Sequence, residues 1–228
     1  NKCAFEPASL RCTTADGDDC LTGPQVASLE KLYSGPKHPR TGASIFPGWA
    51  LGSERGWERW VVADGVTNLG RTYFSNLVFE DPNWDYRTFD FDADLAFAES
   101  KVGSHADAID TNLSAAKQQN VKIIQYHGWN DQTLQPGYSP LYYERVAAEM
   151  GSLAETQDFY RLFMVPGMAH CYRGAGANSF GGVGQQIPPQ RDALHDVQLA
   201  LEQWVEKGVA PDQLIATKYV DDDADTTT

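Results

Sequence analysis

The chain of 228 residues predicts an α/β fold with parallel strands, and three features of its second half carry that expectation. Two apolar runs, "VKIIQYHG" (121–128) and "FYRLFMVPG" (159–167), have the length of strands rather than helices. Helical patterns alternate with them: one ending near Asn120, one around "SPLYYERVAAEMG" (139–151), and a last one over "DALHDVQLALEQWVEKG" (192–208). Strands that alternate with helices in this way form parallel sheets, because the helix is the crossover that returns the chain to the same edge.

Taken in order, residues 22–34 read as a short amphipathic helix. Thr22 and Gln25 have capping-box spacing, Val26, Leu29 and Leu32 share a face, and Gly35-Pro36 ends the run. From Gly35 to about Asp94 the periodicity is lost, and Gly, Pro and aromatic residues are scattered through "TGASIFPGWALGSERGWERW" and "FEDPNWDYRTFDFD". A weakly patterned stretch of that length is usually a lid or binding loop. Trp49, Trp57, Trp60, Phe74, Phe79 and Trp84 are candidates to line an aromatic cleft there, with simple core packing as the plainer account. Ser53 in "GSERG" and Ser104 in "GSHAD" follow no strand as a nucleophile elbow requires, so both are expected to be surface serines or helix caps. In the last helix Leu194, Val197, Leu201 and Trp204 recur at helical spacing, and Gly208 stands where a C-cap belongs. The acidic tail "DDDADTTT" (221–228) has nothing to bury and is expected to be disordered.

Composition narrows the function. The net charge is −13, from 31 acidic and 18 basic residues. Such a surface suits neither nucleic acid nor an anionic membrane, and fits a neutral or aromatic small molecule better. No stretch has the roughly 18 consecutive apolar residues of a membrane span, and the opening "NKCAFEPASL" has no signal-peptide pattern. Cys3, Cys12 and Cys20 crowd a loop rich in Asp, Gly and Thr, which reads as an oxidised staple in an exported protein. A zinc site is the rival, but no C-x-x-C pair or neighbouring histidine supports it. Asp16, Asp18 and Asp19 are hard oxygen donors without the spacing of an EF-hand loop.

The chemistry concentrates where the two strands end. "HGWNDQTLQP" brings Asp131 after the first strand, and "GMAHC" brings His170 after the second. In open α/β sheets, sites form at the carboxyl ends of strands, so both side chains should face one crevice. Acid followed by histidine is the second and third element of the Ser, Asp, His order of α/β-hydrolases. In that scheme the imidazole takes a proton from a serine hydroxyl and returns it to the leaving alcohol, while the carboxylate fixes its tautomer. A metal site built on His127, Asp131 and His170 is an alternative use of the same residues. His127 itself reads as a locally packed or hydrogen-bonded residue, and His38, His105 and His195 have no recognisable partners.

Almost end to end, the chain resembles the tannase and feruloyl esterase family of serine esterases. The resemblance rests on "CAFEPASLRC", "DDCLTGPQVASLEKLYSGP", "FPGWALGSERGW", "IIQYHGWNDQTLQP", "VPGMAHC" and "ALEQWVEKGVAPDQLIATKY". It implies the C-terminal portion of an α/β-hydrolase fold with part of a lid domain: residues 1–104 in the lid, 105–228 in the hydrolase core. It also implies Asp131 and His170 as catalytic residues, 39 positions apart as the family pattern leads one to expect. The nucleophilic serine would lie upstream beside a cysteine that bridges to Cys171, clamping base and nucleophile together. Cys3 would pair with another upstream cysteine, leaving Cys12 and Cys20 to close on each other. Leu134, three residues after Asp131 in the same loop, is a candidate to line the acyl pocket, with core or loop packing an equal alternative. No cofactor is implied for catalysis, and the family's structural calcium would have its ligands upstream.

This chain has no Gly-Cys-Ser-x-Gly segment, so the implied partner is an N-terminal half of the same enzyme carrying the Cys-Ser nucleophile. The implied activity is secreted hydrolysis of small aromatic-acid esters, with this chain inactive when isolated. The alternative is a catalytically inactive fragment or aromatic-binding module.

Overall fold

The structure is a computed structural model and describes residues 5–58 and 69–225. Cys3 and Trp60 fall outside the described residues.

The expected α/β arrangement is present. Strands β1 (Ile123–Gly128) and β2 (Tyr160–Val165) pair in parallel, in register from Ile123↔Tyr160 to Gly128↔Val165. The crossover carries the helix Tyr138–Glu149 and a second, short one, Leu153–Gln157. The short helix has no long apolar period to announce it. It is started by Ser152, whose hydroxyl accepts from the backbone N–H of Glu155.

Side-chain alternation along each strand divides the core into two layers. On one face Ile123, Tyr160 and Leu162 pack with Tyr143, Val146 and Phe159 against the Tyr138–Glu149 helix. Tyr143 and Val146 are three positions apart on that helix, so one stripe meets the sheet. The Tyr143 and Tyr160 rings meet edge to face, 4.9 Å between centroids, and the Tyr143 hydroxyl donates to the Tyr160 carbonyl at 2.9 Å. On the other face Ile124 and Tyr126 pack with Val165, Met168, Phe180 and Val197, the first residue of the helix Val197–Lys207.

That last helix starts later than its apolar spacing suggests. Asp196 is its N-cap, accepting from the N–H groups of Gln198 and Leu199, so Leu194 precedes the helix. Asp192 accepts from the N–H groups of Leu194 and His195 and holds these residues in a turn. A side chain that satisfies backbone donors outside a helix competes with helix propagation. The C-terminal expectation holds, with Gly208 left-handed at φ 70°.

Near the amino end, Thr22 and Gln25 form a complete capping box on the helix Gly23–Ser34, which ends at Gly35. Cys12 and Cys20 are joined by a disulfide. In the weakly patterned middle, Phe74, Phe79, Trp84 and Phe89 stack on one another, with Phe74 and Trp84 centroids 5.6 Å apart. Trp57 is buried, and Trp49 and Trp57 stand 6.5 Å apart. The described members of the aromatic set therefore pack chiefly with each other.

Three expectations are corrected. Ser53 is buried rather than a surface residue; it stands at the N-cap of the short turn Glu54–Gly56, but its hydroxyl does not cap, donating instead to the Ala50 carbonyl at 2.6 Å and accepting from the Trp57 indole N–H at 3.0 Å. His38 and His195 do have partners, Asp92 at 3.2 Å and Asp192 at 2.7 Å. In the acidic tail, Val220–Asp222 forms a turn and Asp222 accepts from the Asn178 side-chain amide at 2.7 Å and pairs with Lys218, so ion pairing orders what apolar burial cannot. Residues 226–228 lie outside the described residues. Among the described residues, no helix is long and apolar enough to cross a membrane.

Candidate active site

Two loops meet at the carboxyl ends of the strands. After β1 the chain turns tightly: the N–H of Asp131 donates to the Gly128 carbonyl at 3.1 Å, and that of Asn130 to the Met168 carbonyl, in the loop after β2, at 3.0 Å. Gly128 is obligatory at this junction, because a Cβ there would sit 2.2 Å from the Met168 carbonyl oxygen and 2.6 Å from that of Ala169. Met168 is fully buried and anchors the second loop. The loop then folds back on itself, the Ala169 N–H donating to the Arg173 carbonyl at 2.9 Å. Cys171 and Arg173 adopt left-handed φ values of 66° and 58°, a conformation that costs free energy and persists only where the surroundings impose it. Gln185 supplies one constraint, its amide donating to the Cys171 carbonyl at 2.9 Å while its oxygen accepts from the N–H groups of Phe180 and Gly182.

This folding brings the two residues singled out from the sequence together. Nδ1 of His170 lies 2.8 Å from Oδ2 of Asp131. Asp131 is 2% exposed, whereas the His170 side chain is 41% exposed. The carboxylate is buried and the imidazole can reach the cleft. Oδ1 of Asp131 accepts from the backbone N–H groups of Thr133 and Leu134 at 2.8 and 2.9 Å, which fixes the plane of the carboxylate. Burial pushes the Asp131 carboxyl upward, but the hydrogen bonds from His127, the Leu134 N–H, His170 and the Thr133 N–H outweigh it and hold the group below the ordinary aspartate range. An ionised, oriented carboxylate on Nδ1 dictates the tautomer of His170 and leaves Nε2 to accept a proton.

A cleft of about 390 Å³ opens beside the pair, lined among others by Phe46, Tyr138, Leu134, Met168, His170 and Cys171. Phe46 and Tyr138 stack within it, centroids 4.7 Å apart and planes at 18°. Leu134 is 53% exposed on this rim. Cys171 is an exposed free thiol, pushed upward by burial of its sulfur and by the Asp131 charge.

Sequence reasoning missed three parts of this arrangement. His127 hydrogen-bonds locally, as expected, but its partner is the same Asp131 oxygen that meets His170, at 3.1 Å. Ser139 was not singled out, yet its hydroxyl lies 2.7 Å from His127 Nδ1. The i, i+4 spacing of His127 and Asp131 across a tight turn was the available signal. Phe46, Tyr126 and Tyr138, rather than the described tryptophans, are the aromatics lining the cleft, and no local pattern distinguishes them. Both rings of His127 and His170 are directed at the carboxylate as hydrogen-bond partners, and among the described residues no group of three or more His, Cys, Asp or Glu side chains is disposed to hold a metal ion.

Parallel strands joined by a helical crossover, with an acid after one strand hydrogen-bonded to a histidine after the next, define part of an α/β-hydrolase fold. The solved structures it resembles agree. An esterase from Aspergillus oryzae superposes with a TM-score of 0.84 at 30% identity, covering 95% of this chain and 43% of that one. Feruloyl esterase B from the same organism gives 0.79 at 29% identity, covering 90% and 41%. Tannin acyl hydrolase from Aspergillus niger shares the fold, with a TM-score of 0.66 at 18% identity.

The chain belongs to the tannase and feruloyl esterase family, whose sequence profile matches residues 1–228. It is 36% identical to an uncharacterized esterase of Xanthomonas campestris over 97% of this chain and 43% of that protein. It is 34% identical to a probable feruloyl esterase B-1 of Aspergillus flavus over 88% and 38%. The chain thus spans about two fifths of the length of the curated relatives it matches.

Proposed function

We propose that this chain is the C-terminal part of a secreted serine esterase that hydrolyses esters of small aromatic acids, supplying the catalytic acid Asp131 and base His170. The observation that carries this is the 2.8 Å contact between Asp131 Oδ2 and His170 Nδ1 at the ends of two adjacent parallel strands. The serine belongs to a segment upstream, next to a cysteine that bridges to Cys171, whose exposed thiol stands one residue from the base. Cys3 pairs with a second upstream cysteine. Residues 1–104 contribute to a lid, and 105–228 complete the hydrolase core. The sheet supports an upstream half, because among the described residues it has only two strands, each with one edge left to pair.

In the reaction, Nε2 of His170 takes the proton of the serine hydroxyl as the oxygen attacks the ester carbonyl, and Asp131 stabilises the imidazolium that forms. Collapse of the tetrahedral intermediate expels the alcohol, which leaves with that proton. Water then repeats the cycle on the acyl-enzyme. Backbone N–H groups near the serine, outside this chain, would face the oxyanion. Leu134 and the Phe46–Tyr138 stack offer an apolar, planar surface for an aromatic acyl group. Catalysis uses no cofactor in this scheme, and structural calcium, where the family has it, would be ligated upstream.

A serine-reactive aryl phosphonate tests the proposal. The isolated chain should stay unlabelled, a preparation containing the upstream segment should be labelled on serine, and His170→Ala should abolish labelling. Labelling that survives His170→Ala would refute it.

A further inference from the structure

Strand alternation places Gln125 and His127 on the same face of β1, the face that meets the Tyr138–Glu149 helix. Their side chains join Ser139 and Tyr160 in one line of hydrogen bonds ending on the candidate acid. The Tyr160 hydroxyl, on a nearly fully buried residue, donates to Oε1 of Gln125. With its oxygen so engaged, the Gln125 amide donates through Nε2 to the Ser139 oxygen at 3.0 Å. Ser139 is left with its own proton to give, and its hydroxyl lies 2.7 Å from Nδ1 of His127. The ionised Asp131 carboxylate can only accept, so the His127 ring carries its proton on Nε2, which donates to Oδ2 at 3.1 Å, and the neutral ring accepts the Ser139 proton at Nδ1. The acceptor-only carboxylate at the end of the line thus gives the chain of bonds one direction.

We propose that His127 is a positioning residue for the Asp131–His170 pair, held as its Nε2–H tautomer by Ser139, Gln125 and Tyr160. It gives Oδ2 a second donor that locks the carboxylate in the rotamer facing His170, where the two backbone N–H groups on Oδ1 alone leave that oxygen held from one side. Burial keeps Tyr160 protonated by pushing its hydroxyl up, which preserves the donor at the head of the line. Tyr160 and Ser139 are buried, at 3% and 6% exposure, while Gln125 and His127 are partly buried where the line borders the cleft, the His127 side chain at 15%. Both ring nitrogens of His127 are engaged, Nδ1 with Ser139 and Nε2 with Asp131, so its effect passes through Asp131.

The inference rests on the ester-hydrolase reading, and the test separates the two. In a preparation competent for hydrolysis, containing this chain and the serine, 4-nitrophenyl acetate turnover is measured for His170→Ala, His127→Leu, His127→Gln and His127→Asn. His170→Ala should abolish turnover; if it does not, the ester-hydrolase reading fails, and the inference with it. His127→Leu should lower kcat by about 10-fold, the scale of one hydrogen bond to a charged group, with KM within about twofold. His127→Gln, whose amide nitrogen reaches the place of Nε2, should recover kcat to within about threefold of wild type. His127→Asn, too short to reach Asp131, should stay low, and this pair decides the matter if the leucine variant does not fold. Wild-type kcat in the leucine or asparagine variant, or equal loss in the glutamine and asparagine variants, overturns the proposal.

Discussion

Gly128→Ala is the sharpest perturbation of the junction that brings Asp131 and His170 together. The added Cβ would lie 2.2 Å from the Met168 carbonyl oxygen. Reaching even 3.0 Å requires the two loops to part by about 0.8 Å, because the obstacle is backbone on both sides rather than a mobile side chain. Overpacking of this kind costs about 1 to 3 kcal/mol of stability. Misplacing a catalytic group by an ångström costs about 100-fold in rate. The expected outcome is a modest fall in the urea midpoint and a disproportionate fall in kcat, on the order of 10- to 100-fold, with KM little changed. Urea unfolding followed by tryptophan fluorescence, and 4-nitrophenyl acetate kinetics in a preparation that contains this chain and the serine, measure the two. A Gly128→Ala protein with wild-type stability and turnover would show that the loops are not held by this contact.

Replacing Cys12 and Cys20 together by serine should cost about 2 to 3 kcal/mol in the same urea assay, from the loop-closure entropy of a bridge spanning 8 residues, with kcat unaffected. Acid should destabilise the protein partly through Asp131. Its folded carboxyl lies below the unfolded value of about 3.9, so its contribution is complete above that value and is lost as pH falls through the folded one. Urea midpoints measured from pH 7 to pH 2 should therefore fall less steeply on acidification in Asp131→Asn than in wild type, and identical slopes would contradict the assignment.

The sequence carried the two strands and the capping box because each depends on residues close in the chain or on a periodicity that survives folding, and the Asp131–His170 contact, 39 residues apart, followed from adjacent parallel strands bringing their carboxyl ends together. What it did not reveal depends on long-range contact or on side chains competing with the backbone. The start of the last helix is set by Asp192 and Asp196 rather than by the apolar spacing of Leu194. Ser53 sits in an exposed-looking glycine context but is drawn inside by Trp57. The cleft aromatics Phe46 and Tyr138 are 92 residues apart and are joined only by the fold. The shared oxygen of Asp131 was hidden because "HGWND" does not say which way a ring at a strand end points, whereas the parity of Gln125 and His127 does once the helix above them is known.

That parity makes β1 intolerant of sliding. Two of its odd positions, Gln125 and His127, carry polar groups toward Ser139, and the even positions Ile124 and Tyr126 carry hydrocarbon toward the layer of Phe180. Shift the strand by a single residue against β2 and both layers become wrong at once, with amide and imidazole thrust into grease and isoleucine facing a hydroxyl. Misthreaded folding intermediates are thus penalised on two sides simultaneously, and a one-residue insertion or deletion between positions 123 and 128 is the change this strand can least accommodate.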